Sequence, residues 1–301
     1  MTPGDSLREA ALGRLAAQWT ALGAQLDGPA ETRVVDLEAL LAATARLAPG
    51  EPRLAEVALA WSVRHGSAVN GARLRTVAAE LDAAAKVADL AMAVRNAGGP
   101  PWPTSPGTDA SGVSSPWSAI DPRPGIVVVR DLATPARLVW RLRAGFGVNA
   151  RADILAALLA APAPLSIADL AARTRFGKRA VAGAVADMAL AGLADVERTG
   201  NADRVRLADG APVRAWLAEP AAPARDEASR WRCVLAAVDL HDRIDGTSYA
   251  VRAVEGRAAA DTLRPALAAG GLPRPDATVF GAAFASEVDA WLEALAAAIA
   301  P

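Results

Sequence analysis

Four cations fall within seven residues, Arg173, Arg175, Lys178 and Arg179, with no acid among them. Guanidinium and ammonium groups at that density neutralise phosphates, and a planar guanidinium can also donate two hydrogen bonds to the edge of guanine. Such a pair of bonds is worth about 1–3 kcal/mol of base discrimination. A second group follows, Arg198, Arg204 and Arg206 against Asp203, with Asn201 between them. Both groups predict contact with a phosphate-bearing polymer. A formal net charge of −1 argues against a chain that coats nucleic acid over its whole surface.

Other residues imitate catalytic chemistry. Gly66-Ser-Ala-Val-Asn-Gly71, with Glu80 and Asp82 beyond it, has the look of a glycine-serine triphosphate turn followed by two metal-holding acids. Those acids fall in an Ala-rich helical run, whereas that chemistry needs them on a strand, so a helix–loop–helix corner is the better reading. His241-Asp242 suggests a metal-dependent hydrolase, but the chain has two histidines, His65 and His241, too few for a histidine-rich metal site. Cys233 is the single cysteine, which excludes an intrachain disulfide and a cysteine-based metal site. It stands between Arg232 and Val234 in an apolar helical pattern and reads as structural. The sequence therefore predicts no catalytic residues, no metal and no cofactor, and a protein that is not an enzyme.

The elements that must position the cations can be read on either side of them. Ile154, Leu155, Leu158 and Leu159 put aliphatic side chains on one face of a helix over 152–160, which Pro162 and Pro164 end. Ser166, with Asp169 three residues on, is a capping-box start for a short second helix. The turn 174–177 leads to a third helix in which Val181, Val185 and Met188 form the buried stripe. Arg179, Ala182, Gly183 and Ala186 occupy the opposite face. Two alternating runs, 195–198 and 204–207, then flank a loop over 199–203 and predict a β-hairpin.

This order of helix, helix, turn, helix and hairpin resembles the winged helix-turn-helix domains of bacterial transcriptional regulators of the broad MarR and ArsR type. The resemblance covers about 60 of the 301 residues. It implies that the third helix enters the DNA major groove and that the hairpin is the wing. Double-stranded DNA would be the partner and a homodimer on an inverted repeat the working form. On that basis Arg175, Lys178 and Arg179 would engage the groove and its flanking phosphates. Arg198, Asn201, Arg204 and Arg206 would seat the wing, and Ser166 would cap the second helix near a phosphate. About five phosphate contacts per protomer would give a log–log salt slope near −4.5. The run 146–153 and Trp216 resemble a group of bacterial helix-turn-helix proteins of unassigned function, which implies an architecture and nothing more. The competing expectation is a non-enzymatic adaptor whose Ala/Gly-rich third helix docks a protein partner.

The rest of the chain reads as mainly α. An N-terminal helical bundle of about four helices spans 1–97, and a Gly/Pro/Ser-rich linker spans 98–124, with Trp102 and Trp117 placed to pin it to a surface. Residues 125–147 hold a strand, Gly125-Ile-Val-Val-Val-Arg-Asp131, and a connecting helix. The winged segment occupies 148–210, a second linker 211–228, and a helical C-terminal domain 229–301. No signal peptide and no bilayer-spanning run is evident, so the expected compartment is the cytoplasm, without membrane contact. An effector-gated regulator would use one of the helical bundles as its sensor, but no polar cluster in either identifies a ligand.

Overall fold

The computed structural model describes residues 2–103, 116–200, 202–216 and 226–301. The chain is mainly helical, with a small antiparallel sheet. Five helices come first: α1 (Pro3–Ala21), α2 (Leu37–Leu47), α3 (Pro52–His65), α4 (Gly71–Glu80) and α5 (Ala84–Asn96). That is one more than the sequence suggests, because Leu81–Ala83 breaks the long run between Leu74 and Val94 with a left-handed Asp82 at φ 50°. Local capping fixes several starts. Thr2 and Asp5 form a reciprocal capping box on α1, while Asp36 and Asn70 accept from backbone amides of α2 and α4.

Three long helices close the chain: α10 (Glu227–Ile244), α11 (Tyr249–Gly270) and α12 (Ala283–Ile299). They do not stand apart from α1–α5. Leu7, Trp19, Leu40 and Trp61 share one cluster of buried side chains with Trp231, Leu240, Val288 and Leu292. The stretches 1–97 and 229–301, separate in the sequence reading, are thus two halves of one helical body. A row of indoles, Trp19–Trp61–Trp140, runs through it, the first pair tilted with ring centroids 5.7 Å apart and the second edge-to-face at 5.2 Å. Arg230, buried in α10, donates to the Gly270 carbonyl at 2.8 Å and the Ala298 carbonyl at 3.0 Å. One guanidinium thereby satisfies carbonyls at the C-terminal ends of both α11 and α12.

The second cluster of buried side chains is built by α6 (Leu138–Phe146), α7 (Ala150–Leu159), α8 (Ile167–Thr174), α9 (Lys178–Leu190) and the sheet. The sheet holds β1 (Leu165–Ser166), β2 (Ala194–Thr199) and β3 (Ala202–Leu207) in the order β1-β3-β2. The expected hairpin is present, and β1 adds a third strand through Leu165 opposite Val205. Val205 is consequently central and fully buried.

Two local expectations change. Among the described residues the apolar run 125–131 finds a partner only as an isolated bridge, Ala24 with Val127, supported by Gln25 N–H to the Ile126 carbonyl and Val128 N–H to the Gly23 carbonyl. Gly23 at φ 104° allows that close approach, since a Cβ there would lie 2.6 Å from the Val128 carbonyl oxygen. The connecting helix begins with a 3-10 turn, Pro135–Arg137, before α6. Trp102 and Trp117 are both buried against the body, and the Trp102 indole donates to the Gly66 carbonyl at 3.0 Å. The remainder of the linker, 104–115, lies outside the described residues.

Candidate nucleic-acid interface

α8, the turn and α9 present the cations. Val181, Ala184, Val185 and Met188 bury one face of α9, as their spacing predicts, and Leu170 of α8 packs into the same cluster. The outward face carries Lys178 and Arg179 in the first turn, then Ala182, Gly183 and Ala186, all exposed. Among the described residues neither Lys178 nor Arg179 has an ion-pair partner. No acid stands in the first turn of α9 and Gly177 caps it without a side chain, so its amide-rich end is open to an anion. Small side chains beyond the two cations let this face approach a surface closely.

Ser166 caps α8 as expected, but its hydroxyl is already used. It accepts from the Asp169 N–H at 3.1 Å and contacts the Asp169 carboxylate at 2.7 Å, while the Ser166 N–H donates to that carboxylate at 3.0 Å. Hydrogen bonds from the Ser166 side chain and backbone hold the Asp169 carboxyl below its ordinary range, with Arg204 and Arg173 adding to the effect against a small opposing effect of burial. A negative charge therefore stands where a phosphate would meet the start of α8.

Arg175 departs furthest from its sequence reading. It ends α8 in the left-handed region at φ 59°, and its side chain turns away from α9 into the helical body. Its guanidinium meets Asp226 at 2.8 Å, Ser229 Oγ at 3.1 Å and Glu80 at 3.2 Å. A guanidinium so enclosed is not presented with Lys178 and Arg179. In the hairpin, Arg206 pairs with Asp195 at 2.7 Å and lies 3.2 Å from Asp209 and 3.8 Å from Glu197. Arg204 lies 3.6 Å from Asp169. Arg198 is exposed and, among the described residues, without an ion-pair partner, although Asp203 faces it across the ladder. Asn201 lies outside the described residues.

No protein-family model, curated protein or solved structure matches the chain. Its chemistry has to be read from its own side chains.

Those side chains include a buried ionic network that the sequence reading missed. Glu38 of α2, wholly buried, accepts from Arg143 of α6 at 2.6 and 2.9 Å, from the Asn70 N–H at 2.7 Å, and from Arg73 of α4. Arg143 also donates to Asp153 of α7 at 2.8 Å, and Arg73 donates to Asp36 at 2.6 Å and to the Thr174 carbonyl at 2.9 Å. Burial alone would raise Asp36 and Glu38, but the neighbouring arginines outweigh it and both carboxyls stay below their ordinary range. At Asp153 burial wins over Arg143 and Arg73, and its carboxyl is held above that range. The only hint in the sequence is an ionisable residue inside an apolar or small-residue run, as in Leu37-Glu38-Ala39 and Ala152-Asp153-Ile154.

The residues that imitate catalysis are placed otherwise. Gly66–Ala68 is a 3-10 turn, Gly71 opens α4, and Glu80 ends it in contact with Arg175. His241 stands in the last turn of α10 with Nε2 3.4 Å from Thr2 Oγ1. Burial pushes the Cys233 thiol up to about 12 against the opposing effect of Arg232 and Arg230.

Proposed function

We propose that the chain is a DNA-binding transcriptional regulator that uses α7–α9 and the β2–β3 hairpin as a winged helix-turn-helix. The observation that carries this reading is the outward face of α9. Two unpaired cations stand at its open N-terminal end, a smooth Ala/Gly surface lies behind them, and the three-stranded sheet in the order β1-β3-β2 stands beside it. Lys178 and Arg179 reach base edges and adjacent phosphates, and Arg198 and Arg204 reach the backbone from the hairpin. The homodimeric form draws support from exposed apolar side chains on α11 and beyond it, Tyr249, Val254 and Phe280, which a second copy would cover. We read the chain as non-enzymatic and without a cofactor.

With Arg175 held by Asp226 at 2.8 Å and Arg206 by Asp195 at 2.7 Å, while Arg204 meets Asp169 only at 3.6 Å, Lys178, Arg179, Arg198 and Arg204 remain, so the expected salt slope falls to about −3.6 per protomer. Fluorescence anisotropy on duplex DNA between 50 and 200 mM salt, values within about the usual working range, measures it. Replacing Lys178 and Arg179 together with Ala should flatten the slope by about 1.8. Binding that ignores salt refutes the proposal.

A second reading, a protein-docking adaptor, is favoured by one observation. Leu190 at the end of α9 is 90% exposed, and Val196 on β2 is partly exposed as well. If Leu190→Ser abolishes capture of a protein partner while the Lys178/Arg179 double variant leaves it intact, the adaptor is the better account.

A further inference from the structure

A groove of about 380 Å³ opens where α3, α5 and residues 117–122 meet. Its walls are mostly apolar, from Leu59, Met92, Trp117, Ile120 and Pro122. Met92 is 46% exposed while Val87, Leu90 and Val94 of the same helix are buried, so an adaptable thioether lines the groove and the described residues leave it open to water.

Half-buried Asp89 of α5 and exposed Asp121 bring the only formal charges to the lining, and both are negative. Among the described residues neither carboxylate has an ion-pair or hydrogen-bond partner. The cations nearest in sequence do not supply one. Arg123 is committed to Glu56, its Nε and Nη2 each 2.5 Å from a carboxylate oxygen, and Lys86 and Arg95 of α5 pair with neither acid. Other cleft-lining acids are compensated, as Asp153 is by Arg143 and Asp226 by Arg175. Uncompensated carboxylates beside an apolar wall attract a cation more strongly than carboxylates in open water, and an indole in that wall favours it further. Residues 104–115, which precede this segment in the chain, contain no Lys or Arg and one charged residue, Asp109, so they do not complement the groove. Among the described residues no group of three or more His, Cys, Asp and Glu side chains is gathered closely enough to hold a metal ion, and the apolar walls suit an organic cation.

We propose that this groove binds a hydrophobic amine, a primary ammonium group on an aromatic or branched aliphatic body. Asp89 and Asp121 hold the ammonium, and Met92, Trp117 and Ile120 cover the apolar body. The volume suits one small molecule, since ligand pockets run from about 300 to 1,000 Å³. None of the lining comes from α6–α9 or the sheet, so the site goes beyond the DNA reading and stands without it.

Isothermal titration of the full chain with phenethylamine at fixed ionic strength tests the site. Hydrocinnamate serves as an aromatic anion of similar length and ethylamine as an ammonium without the apolar body. One variant joins Asp89→Asn and Asp121→Asn, which keep the shape of both side chains and remove their charge. The other, Ala97→Phe, fills the groove from an exposed position just after α5. Phenethylamine should bind more tightly than about 1 mM, and both control compounds at least about tenfold more weakly. Each variant should lose at least about tenfold in affinity for phenethylamine. Phenethylamine heats no larger than those of sodium chloride, equal affinity for hydrocinnamate, or an affinity unchanged in both variants overturns the proposal. Analytical ultracentrifugation tests the other occupant: a dimer that Ala97→Phe returns to monomer means that a second copy fills the groove, which overturns it as well.

Discussion

Glu38→Gln should be among the most damaging conservative changes in this protein. The native carboxylate is fully buried and receives two guanidinium groups and a backbone N–H. Glutamine keeps the shape but offers one acceptor oxygen, and it turns an amide donor toward cationic donors. Arg73 and Arg143 are then left with a charge deficit in a site water does not reach. Removing one partner of a buried ionic cluster costs about 3–5 kcal/mol. For 301 residues the unfolding entropy is roughly 0.6 kcal/mol per degree, so the melting temperature should fall by about 5–8 °C. Asp242→Asn is the matched control, because the Arg8–Asp242 pair is 45% and 55% exposed. Loss of such a surface pair is worth at most about 1 kcal/mol and should shift melting by less than about 2 °C. Acid titration adds an independent readout. Glu38 and Asp36 are held below their ordinary values of 4.5 and 3.8, so their stabilisation is complete above those values and is lost as pH falls through the lower folded ones. Asp153 runs the other way: its carboxyl is raised above 3.8, so its contribution is present at low pH and fades as pH rises through its folded value. Native stability should therefore decline below about pH 4.5, less steeply in Glu38→Gln. A melting temperature within about 1 °C of native, by calorimetry, would show that the network is not the closed, water-free cluster on which this magnitude rests.

Arg175→Ala should lower stability by about 2 kcal/mol in urea denaturation, because it strips Asp226 and Glu80 of their cation, yet leave the salt slope of DNA binding unchanged. A slope reduced by about 0.9 would instead put this side chain on phosphate. Two glycine substitutions should carry opposite signs. Gly256→Ala in α11 would place a Cβ 2.2 Å from Val288 Cγ2 and should cost about 1–3 kcal/mol, whereas Gly183→Ala in α9 meets nothing within 4 Å and should gain about 0.5–1 kcal/mol. Matching signs in thermal melts would mean that α11 and α12 are not packed as described. Cys233, fully buried with its thiol pushed up to about 12, should resist a thiol reagent in the folded protein and react fully in denaturant. Rapid labelling of native protein at pH 8, about half a unit below an ordinary thiol, would contradict that burial.

What could be read in the sequence was whatever repeats at short range. The period of Val181, Val185 and Met188 located the buried side of α9, and Ser166 with Asp169 located the start of α8. Trp102 and Trp117 stand out in a Gly/Pro/Ser-rich run because indoles are costly to leave in water, and both are buried. Charge pairing was not legible, since it depends on distance in the fold. Arg175 reads as one of four neighbouring cations, but its acids lie 95 and 51 residues away. The same holds for Glu38 and Arg143, 105 residues apart, and for β1, whose two residues take their strand identity from β3. A run such as 125–131 shows the converse error, because β-branched residues state a local preference and only a neighbouring strand turns it into a sheet.

The turn between α8 and α9 joins these two kinds of information. Arg175 holds a left-handed conformation that costs an ordinary residue of order 1 kcal/mol, and it persists because Asp226, Ser229 and Glu80 fix the side chain while Arg73 holds the preceding Thr174 carbonyl. Every one of those partners belongs to the helical body. The direction in which α9 leaves the turn is therefore set by α4 and α10 as well as by the α7–α9 packing. A cation given up to this anchorage is withheld from the outward face and stiffens the mount of the helix that carries Lys178 and Arg179. If α9 reads DNA, the body sets its presentation through this turn.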